Sequence, residues 1–177
     1  AGGARGGGGP AGRGGGVICD RIEDFAAAIP VGRGLMGLDL GTKTIGVAIS
    51  DRLLSAATPL ETVKRVKFTL DAARLAEIAA KREIGGLILG LPTNMDGSEG
   101  PRAQSTRAFA RNLTRVAGIE GLPIAFWDER LSTVAAERAL LEADTTRKRR
   151  AEVIDAVAAG YILQGALDRL RHLRAGS

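Results

Sequence analysis

Cysteine, histidine and aromatic residues are scarce in this 177-residue chain. The single cysteine, Cys19, excludes an internal disulfide framework and a zinc site built from several cysteines. The single histidine, His172, argues against a histidine-rich metal site and against a Ser-His-Asp triad. Aromatic residues make up 3% of the chain, so a platform of rings that stacks on nucleic-acid bases is not expected.

Long uncharged apolar runs are also missing from the sequence. No stretch of about 18 apolar residues is free of charge, and the N-terminal region lacks the apolar segment of a signal peptide. We therefore expect a cytoplasmic protein that does not contact a membrane. The net charge of +5 and the pI of about 10.0 favour a polyanionic partner such as nucleic acid, bound mainly through its phosphates.

Glycine is concentrated at one end of the chain. Ten of the first 16 residues are Gly. A segment of this composition cannot bury enough apolar surface to fold. We expect residues 1–34 to form a disordered tail that contains one short helix at 22–28, and residues 35–171 to form one domain.

The rest of the chain reads as three strands joined by short turns, followed by strands that alternate with helices. The predicted strands are 35–40, 45–50, 58–64, 87–89 and 123–127. The predicted helices are 69–82, 101–117, 132–143 and 152–170, with a basic linker at 147–150. Tight turns favour antiparallel pairing and helical crossovers favour parallel pairing. The sequence thus predicts an α/β protein with a mixed five-stranded sheet, three strands antiparallel and then two parallel, flanked by helices.

Three carboxylates lie inside or directly beside predicted apolar elements. Asp39 is inside the first strand, Glu129 directly follows the last strand, and Asp155 shares a helical stripe with alanines and an isoleucine. Each also has a structural explanation. Asp39 could cap a turn or pair with Lys43, and Glu129 could pair with Arg130 or cap the helix predicted at 132–143. Asp155 could pair with an arginine of the basic run.

Taken together, the three acids suggest a shared site. The first and last strands should be near neighbours, and the final helix can pack over their ends. Two carboxylates about 4 Å apart repel by roughly 4 kcal/mol at an effective dielectric constant of 20. Such a cluster is tolerable when it is partly protonated or holds a divalent cation. Oxygen ligands alone suit Mg²⁺ or Mn²⁺ rather than Zn²⁺.

Four segments resemble the motifs of the YqgF (RuvX-type) family of pre-16S rRNA nucleases, which are also called Holliday junction resolvase-like. They are residues 37–48 (GLDLGTKTIGVA), 90–98 (GLPTNMDGS), 128–133 (DERLST) and 154–156 (IDA). The resemblance covers residues 35–170 and implies a ribonuclease H-like fold. It also implies a metal-dependent endonuclease in 5′-end maturation of 16S rRNA during ribosome biogenesis. By this resemblance Asp39, Glu129 and Asp155 are the catalytic and metal-binding acids, with Mg²⁺ or Mn²⁺ as cofactor.

Other functions remain open on the same fold, because a fold does not fix an activity. One is a Holliday junction resolvase-like nuclease that cuts branched DNA and needs a dimer, and another is a non-catalytic RNA-binding or antitermination factor. Residues 39–42, with Gly46, also resemble the phosphate turn of actin-like kinases, but those need two such domains and one is visible here. Whether the chain is a monomer or a homodimer is open.

Polar residues around the motifs are candidate substrate contacts. Lys43 could contact a phosphate or pair with Asp39 or Asp51. Asn94 and Asp96 could position substrate or only shape the turn before Gly97. The basic run could grip the backbone beside the cut or form a solvated linker. The candidates are Lys43, Asn94, Asp96, Arg130, Arg147, Lys148, Arg149 and Arg150.

Overall fold

Six strands and four α-helices form the computed structural model, which describes residues 17–131 and 147–176, with side chains described for 17–131 and 155–176. The strands are β1 (Val17–Cys19), β2 (Gly34–Leu40), β3 (Thr44–Ser50), β4 (Ala57–Lys64), β5 (Ile84–Leu91) and β6 (Pro123–Asp128). The helices are α1 (Ile22–Ala28), α2 (Phe68–Lys81), α3 (Pro101–Leu113) and α4 (Arg147–Ala175), and a 3₁₀ turn at Glu129–Leu131 follows β6.

All six strands belong to one mixed sheet in the order β1-β6-β5-β2-β3-β4. The strands β2, β3 and β4 are antiparallel neighbours, and β5 is parallel to both β2 and β6. The turn between β2 and β3 is too short for anything but a reversal, whereas α2 and α3 carry the chain back so that β5 and β6 run parallel to β2. The predicted arrangement of three antiparallel and two parallel strands is confirmed.

The sixth strand was not expected from the sequence. In β1, Val17 pairs with Pro123 and Cys19 with Ala125, parallel to β6, and α1 buries Phe25 completely. The sheet therefore has six strands where five were expected. Residues 17–34 of the expected tail are ordered, and the helix predicted at 22–28 is present as α1. A strand of three residues is too short to give a periodic signal, and its partner lies more than 100 residues further along the chain.

The two central strands are buried on both faces. All seven residues of β2 and all eight of β5 are buried, as expected for strands covered by helices on each side. Side chains alternate between faces along a strand. In β2, Met36, Leu38 and Leu40 join the core that includes α2 and α3, whereas Leu35 joins the core that includes α1 and α4.

The long helix α4 covers the second face of the sheet. Its predicted apolar stripe is buried, at Ala158, Ala159, Ile162 and Ala166. The helix begins at Arg147, so the basic run at 147–150 is helical backbone and not a linker. Lys and Arg are good helix formers, and no glycine or proline separates this run from the rest of the helix.

The remaining helix predictions differ in detail. The helix α2 begins at Phe68 after the N-cap Lys67, so Thr69 lies within the first turn and does not cap the helix. The helix predicted at 132–143 lies outside the described residues. Within 17–131 and 147–176, no helix is both long and apolar enough to cross a membrane.

Candidate active site

Asp39 is the last residue but one of β2, and only 2% of it is exposed. Every second residue of a strand points to the same face of the sheet. Asp39 lies two and four positions after Gly37 and Leu35, which pack on the α4 side, so its side chain is on that face. A buried carboxylate is costly unless polar groups or cations surround it. The surroundings of Asp39 therefore define the candidate site.

Both cross-strand neighbours of Asp39 are glycines. Gly46 of β3 is paired with Asp39 in the antiparallel direction. On the other side, Leu38 pairs with Leu89 of the parallel strand β5, so the next residues, Asp39 and Gly90, lie beside each other. A Cβ added at Gly46 would meet the backbone carbonyl of Asp155, and one added at Gly90 would lie 3.1 Å from the Glu129 Oε1 atom. The missing side chains leave the space that these two residues occupy.

Asp155 and Glu129 consequently approach Asp39 from opposite sides. Neighbouring strands are about 4.8 Å apart, which puts Gly46 and Gly90 roughly 10 Å from each other with Asp39 between them. Glu129 directly follows β6, and β5 separates β6 from β2. The first and last predicted strands are thus close but not adjacent, and Glu129 reaches the site across the end of β5.

Glycines also let α4 lie directly on the sheet. A Cβ at Gly37 would be 2.7 Å from the Leu163 Cβ atom, and one at Gly90 would collide with the Ile162 side chain. Both helix residues are fully buried. This close packing fixes the position of α4, and with it the position of Asp155.

A hydrogen bond orients the Asp155 carboxylate. The Thr44 hydroxyl, at the start of β3, donates to the Asp155 Oδ2 atom. Thr44 is itself held by its backbone, since its carbonyl accepts a hydrogen bond of 2.8 Å from the Gly41 N–H. One carboxylate oxygen of Asp155 is therefore occupied and oriented by a residue of the first motif.

The donor chemistry of the site fits a hard divalent cation. Asp39, Glu129 and Asp155 offer only carboxylate oxygens, the ligands that Mg²⁺ and Mn²⁺ prefer. As placed, no three His, Cys, Asp or Glu side chains in the described part of the chain form a ligand set for a metal ion. The three acids thus share one region and a suitable chemistry, and their assignment as metal ligands stays a prediction.

The loop after β5 is closed by its own hydrogen bonds. The Asp96 Oδ1 atom accepts from the Ser98 hydroxyl at 2.6 Å and from the Ser98 N–H at 2.9 Å, and the hydroxyl bond holds the pKa of Asp96 below its usual value. The Asn94 amide donates to the Ser98 hydroxyl at 2.9 Å. Asn94 and Asp96 thus shape the turn, and their contact with a substrate stays a prediction.

Arg130 ties this loop to the end of β6. Its guanidinium makes an ion pair of 2.7 Å with Asp128 and donates to the Met95 carbonyl at 3.1 Å. Thr93 adds a hydrogen bond of 3.0 Å to Asp128. The hydrogen bond from Arg130 is the main reason that the pKa of Asp128 is lowered. Arg130 thus pairs with Asp128, a residue that the sequence did not single out.

The remaining candidate contacts lie at the periphery of the site. Lys43 is exposed in the turn before β3, and Asp51 accepts hydrogen bonds from the backbone N–H groups of Ser55 and Ala56. The run at 147–150 forms the start of α4, five to eight residues before Asp155, which corresponds to roughly 8–12 Å along the helix. Contacts of either with a substrate stay predictions.

Sequence reasoning missed the residues that shape the site. Thr44, Gly46 and Gly90 all lie within the quoted motifs, but no role followed from them individually. Glycine inside a strand does signal the close approach of another backbone. That signal applied to Gly46, which interrupts a strand of otherwise β-branched and small residues.

The order of the strands in the mixed sheet and the helices on its two faces define a ribonuclease H-like fold. Thermus thermophilus RuvC in complex with a Holliday junction substrate is similar in structure, with a TM-score of 0.50 and 16% sequence identity, over 82% of this chain and 97% of that chain. At this identity the likeness shows the fold alone.

The sequence comparisons identify the family. A family model described as "RuvX: Holliday junction resolvase" matches residues 33–169. A protein of Roseobacter denitrificans named "Putative pre-16S rRNA nuclease" is 75% identical over 159 residues, which are 90% of this chain and 97% of the relative. A protein of Ruegeria pomeroyi with the same name is 69% identical over 89% of this chain and 100% of its own length. The chain belongs to the RuvX family.

Proposed function

We propose that this protein is a metal-dependent endonuclease that hydrolyses phosphodiester bonds in the 5′-end processing of pre-16S rRNA. The observation that carries the proposal is a buried carboxylate, Asp39, between two glycines whose missing side chains admit Asp155 and Glu129. The names of relatives that are 69–75% identical over almost their whole length support precursor rRNA as the substrate.

Asp39, Glu129 and Asp155 are the residues that would hold Mg²⁺ or Mn²⁺. Bound there, such ions supply activation of water and stabilisation of the leaving oxygen in phosphodiester hydrolysis. The backbone of Asp39 is held within the sheet by its pairing with Gly46. Thr44 holds one oxygen of Asp155, the Oδ2 atom, by a hydrogen bond.

The substrate is a polyanion, and the net charge of +5 assists its approach. Processing of a precursor rRNA places the enzyme in the cytoplasm. The description of the family model also names Holliday junctions, so a branched DNA is the second substrate to be tested.

The decisive experiment is a cleavage assay with an RNA that spans the 5′ junction of the 16S precursor, in Mn²⁺ and in EDTA. Asp39→Asn keeps the size of the side chain but removes the charge that a hard cation needs. We expect wild-type cleavage in Mn²⁺ only, and none by Asp39→Asn at millimolar Mn²⁺. RNA binding by Asp39→Asn should be unchanged or slightly tighter, because one repulsive charge near the phosphates is gone.

Asp71→Asn is the matched control. Asp71 is also a buried aspartate, with 4% exposed, but it lies in α2 and accepts a hydrogen bond from the Val66 N–H at 3.1 Å. Its variant should cleave like the wild type, and a thermal melt verifies the folding of both. Equal cleavage by wild type and Asp39→Asn would indicate a contaminating nuclease. Cleavage of a four-way DNA junction in preference to the RNA would favour the resolvase, and no metal-dependent cleavage would favour a non-catalytic RNA-binding factor.

A further inference from the structure

A small pocket lies at the same edge of the sheet as Asp39 but on the α3 side of β2. Residues 40–42, where the chain leaves β2, form one wall, and α3 and the residue after β4 form the other. The lining residues are Leu40, Gly41, Thr42, Arg65, Arg102, Ser105, Thr106 and Phe109. Of these residues, only Gly41 also appears in the site described above, where its N–H donates to the Thr44 carbonyl.

The polar lining of the pocket suits an anion. It contains two arginines, Arg65 and Arg102, with the hydroxyls of Thr42 and Ser105 at the surface, and no carboxylate. An arginine stays protonated in proteins, and its planar fork of N–H donors matches phosphate oxygens. A hydroxyl can add a further donor to such an oxygen.

Arg65 is held in place for this task. One guanidinium nitrogen donates to the Gly41 carbonyl at 2.6 Å, and the guanidinium carbon lies 5.6 Å from the centre of the Phe109 ring. Only part of its five N–H donors is used by the Gly41 bond. Arg102 is exposed in the first turn of α3, and within the described ranges it makes no ion pair with a carboxylate.

The size of the pocket restricts what it can hold. Its volume of about 70 Å³ is far below the roughly 300–1,000 Å³ of pockets that enclose a small-molecule ligand. A single phosphate group fits this description, whereas a whole nucleotide does not. The pocket begins one residue after Asp39, and a strand residue advances the chain by only about 3.3 Å. A nucleic-acid strand that crosses this edge of the sheet would bring a phosphate within reach of both sites.

We infer that Arg65 and Arg102, with the hydroxyls of Thr42 and Ser105, form a subsite that binds a substrate phosphate a few nucleotides from the cleaved bond. This inference rests on the proposed function for the presence of a nucleic-acid strand at Asp39. The subsite fixes the register of the strand, because phosphate contacts position a nucleic acid without reading its sequence.

Arg102→Gln tests the subsite in the Asp39→Asn background, where binding of the precursor RNA is measured without cleavage. Loss of one phosphate contact should weaken binding roughly tenfold and lower the slope of log affinity against log salt by about 0.7–0.9. Arg111→Gln is the matched control, since Arg111 is exposed in the last turn of the same helix, about 13 Å along its axis from Arg102. It should leave both quantities unchanged.

Neutral methylphosphonates, placed at one RNA position at a time, locate the phosphate. At one position near the cut, the replacement should weaken binding by the Asp39→Asn protein. It should weaken binding little further in the protein that also carries Arg102→Gln, because the phosphate and Arg102 are the two partners of one contact. Equal losses in both proteins at every position, or an unchanged salt slope, would overturn the subsite. Cleavage by protein with Asp39 intact is scored separately, so absence of cleavage refutes the proposed function and leaves the subsite to be decided by the binding data.

Discussion

Gly46→Ala should separate the sheet from α4 at the candidate site. The added Cβ would lie 2.9 Å from the Ala156 nitrogen and closer still to the carbonyl of Asp155, although real Cβ atoms essentially never come within 3.0 Å of another group. Both contacts are with backbone, which has no rotamer to change. Because interiors are close-packed, the start of α4 must retreat by about 1 Å or more.

The cost of this retreat can be estimated in two ways. Overpacking of a buried site destabilises a protein by about 1–3 kcal/mol, which for a chain of this size lowers the melting temperature by roughly 2–12 °C. A shift of about 1 Å in a catalytic group costs on the order of 100-fold in rate. Gly46→Ala should thus lose rate well beyond what its loss of stability explains at temperatures where it is folded.

Thermal melts and single-turnover cleavage of the precursor RNA measure the two effects, and Gly160→Ala is the matched control. Gly160 also lies in the contact between α4 and the sheet, but an added Cβ would sit 3.4 Å from the Pro59 Cγ atom, an ordinary contact. Its variant should cleave normally and gain up to about 1 kcal/mol from replacing a glycine inside a helix. If Gly46→Ala has the melting temperature and the cleavage rate of the wild type, the reasoning is refuted, because α4 could not then lie on Gly46.

Three further changes test separate parts of the site. Thr44→Val removes the hydroxyl that orients Asp155, so the Mn²⁺ concentration for half-maximal cleavage should rise about 10-fold or more, and calorimetric Mn²⁺ affinity should fall in parallel, whereas Thr44→Ser should restore both. Asp128→Asn should destabilise the protein at pH 7. The folded pKa of Asp128 lies below its ordinary value of 3.8, so the stabilisation is present above that value and disappears as the pH falls through the folded pKa. The difference in unfolding free energy between wild type and Asp128→Asn, measured with denaturant, should therefore be smaller at pH 3 than at pH 7. Replacing Arg147, Lys148, Arg149 and Arg150 together by Gln should flatten the salt dependence of RNA binding, and an unchanged slope would favour a solvated role for the run.

The central part of the sheet was predictable because local signals and chain order agree there. Short apolar runs such as 87–89 indicate strands buried on both faces, and the intervening helices impose parallel pairing. The acid near the end of β2 could be recognised for the same reason, since Asp39 interrupts a run of apolar residues. Neither inference requires knowledge of a long-range contact.

The parts that sequence reasoning missed depend on contacts between distant residues. The segment β1 has only three residues, and it is a strand only because it pairs with β6, which lies more than 100 positions later in the sequence. Thr44 and Asp155 are 111 residues apart, and nothing local to either predicts their hydrogen bond. The acids were therefore identifiable as a set, but the residues that orient them were not.

The two glycines beside Asp39 show why site and stability oppose each other in this fold. A glycine inside a strand has an intrinsic cost of roughly 0.5–1 kcal/mol relative to alanine, so Gly46 and Gly90 together cost about 1–2 kcal/mol, which alanine could recover only if α4 did not lie against them. A side chain at either position would fill the space that Asp155 or Glu129 now occupies. Asp39 and its two glycine neighbours thus act as one unit. The glycines lower the intrinsic stability of their strands, and they leave the space in which Asp155 and Glu129 lie beside Asp39.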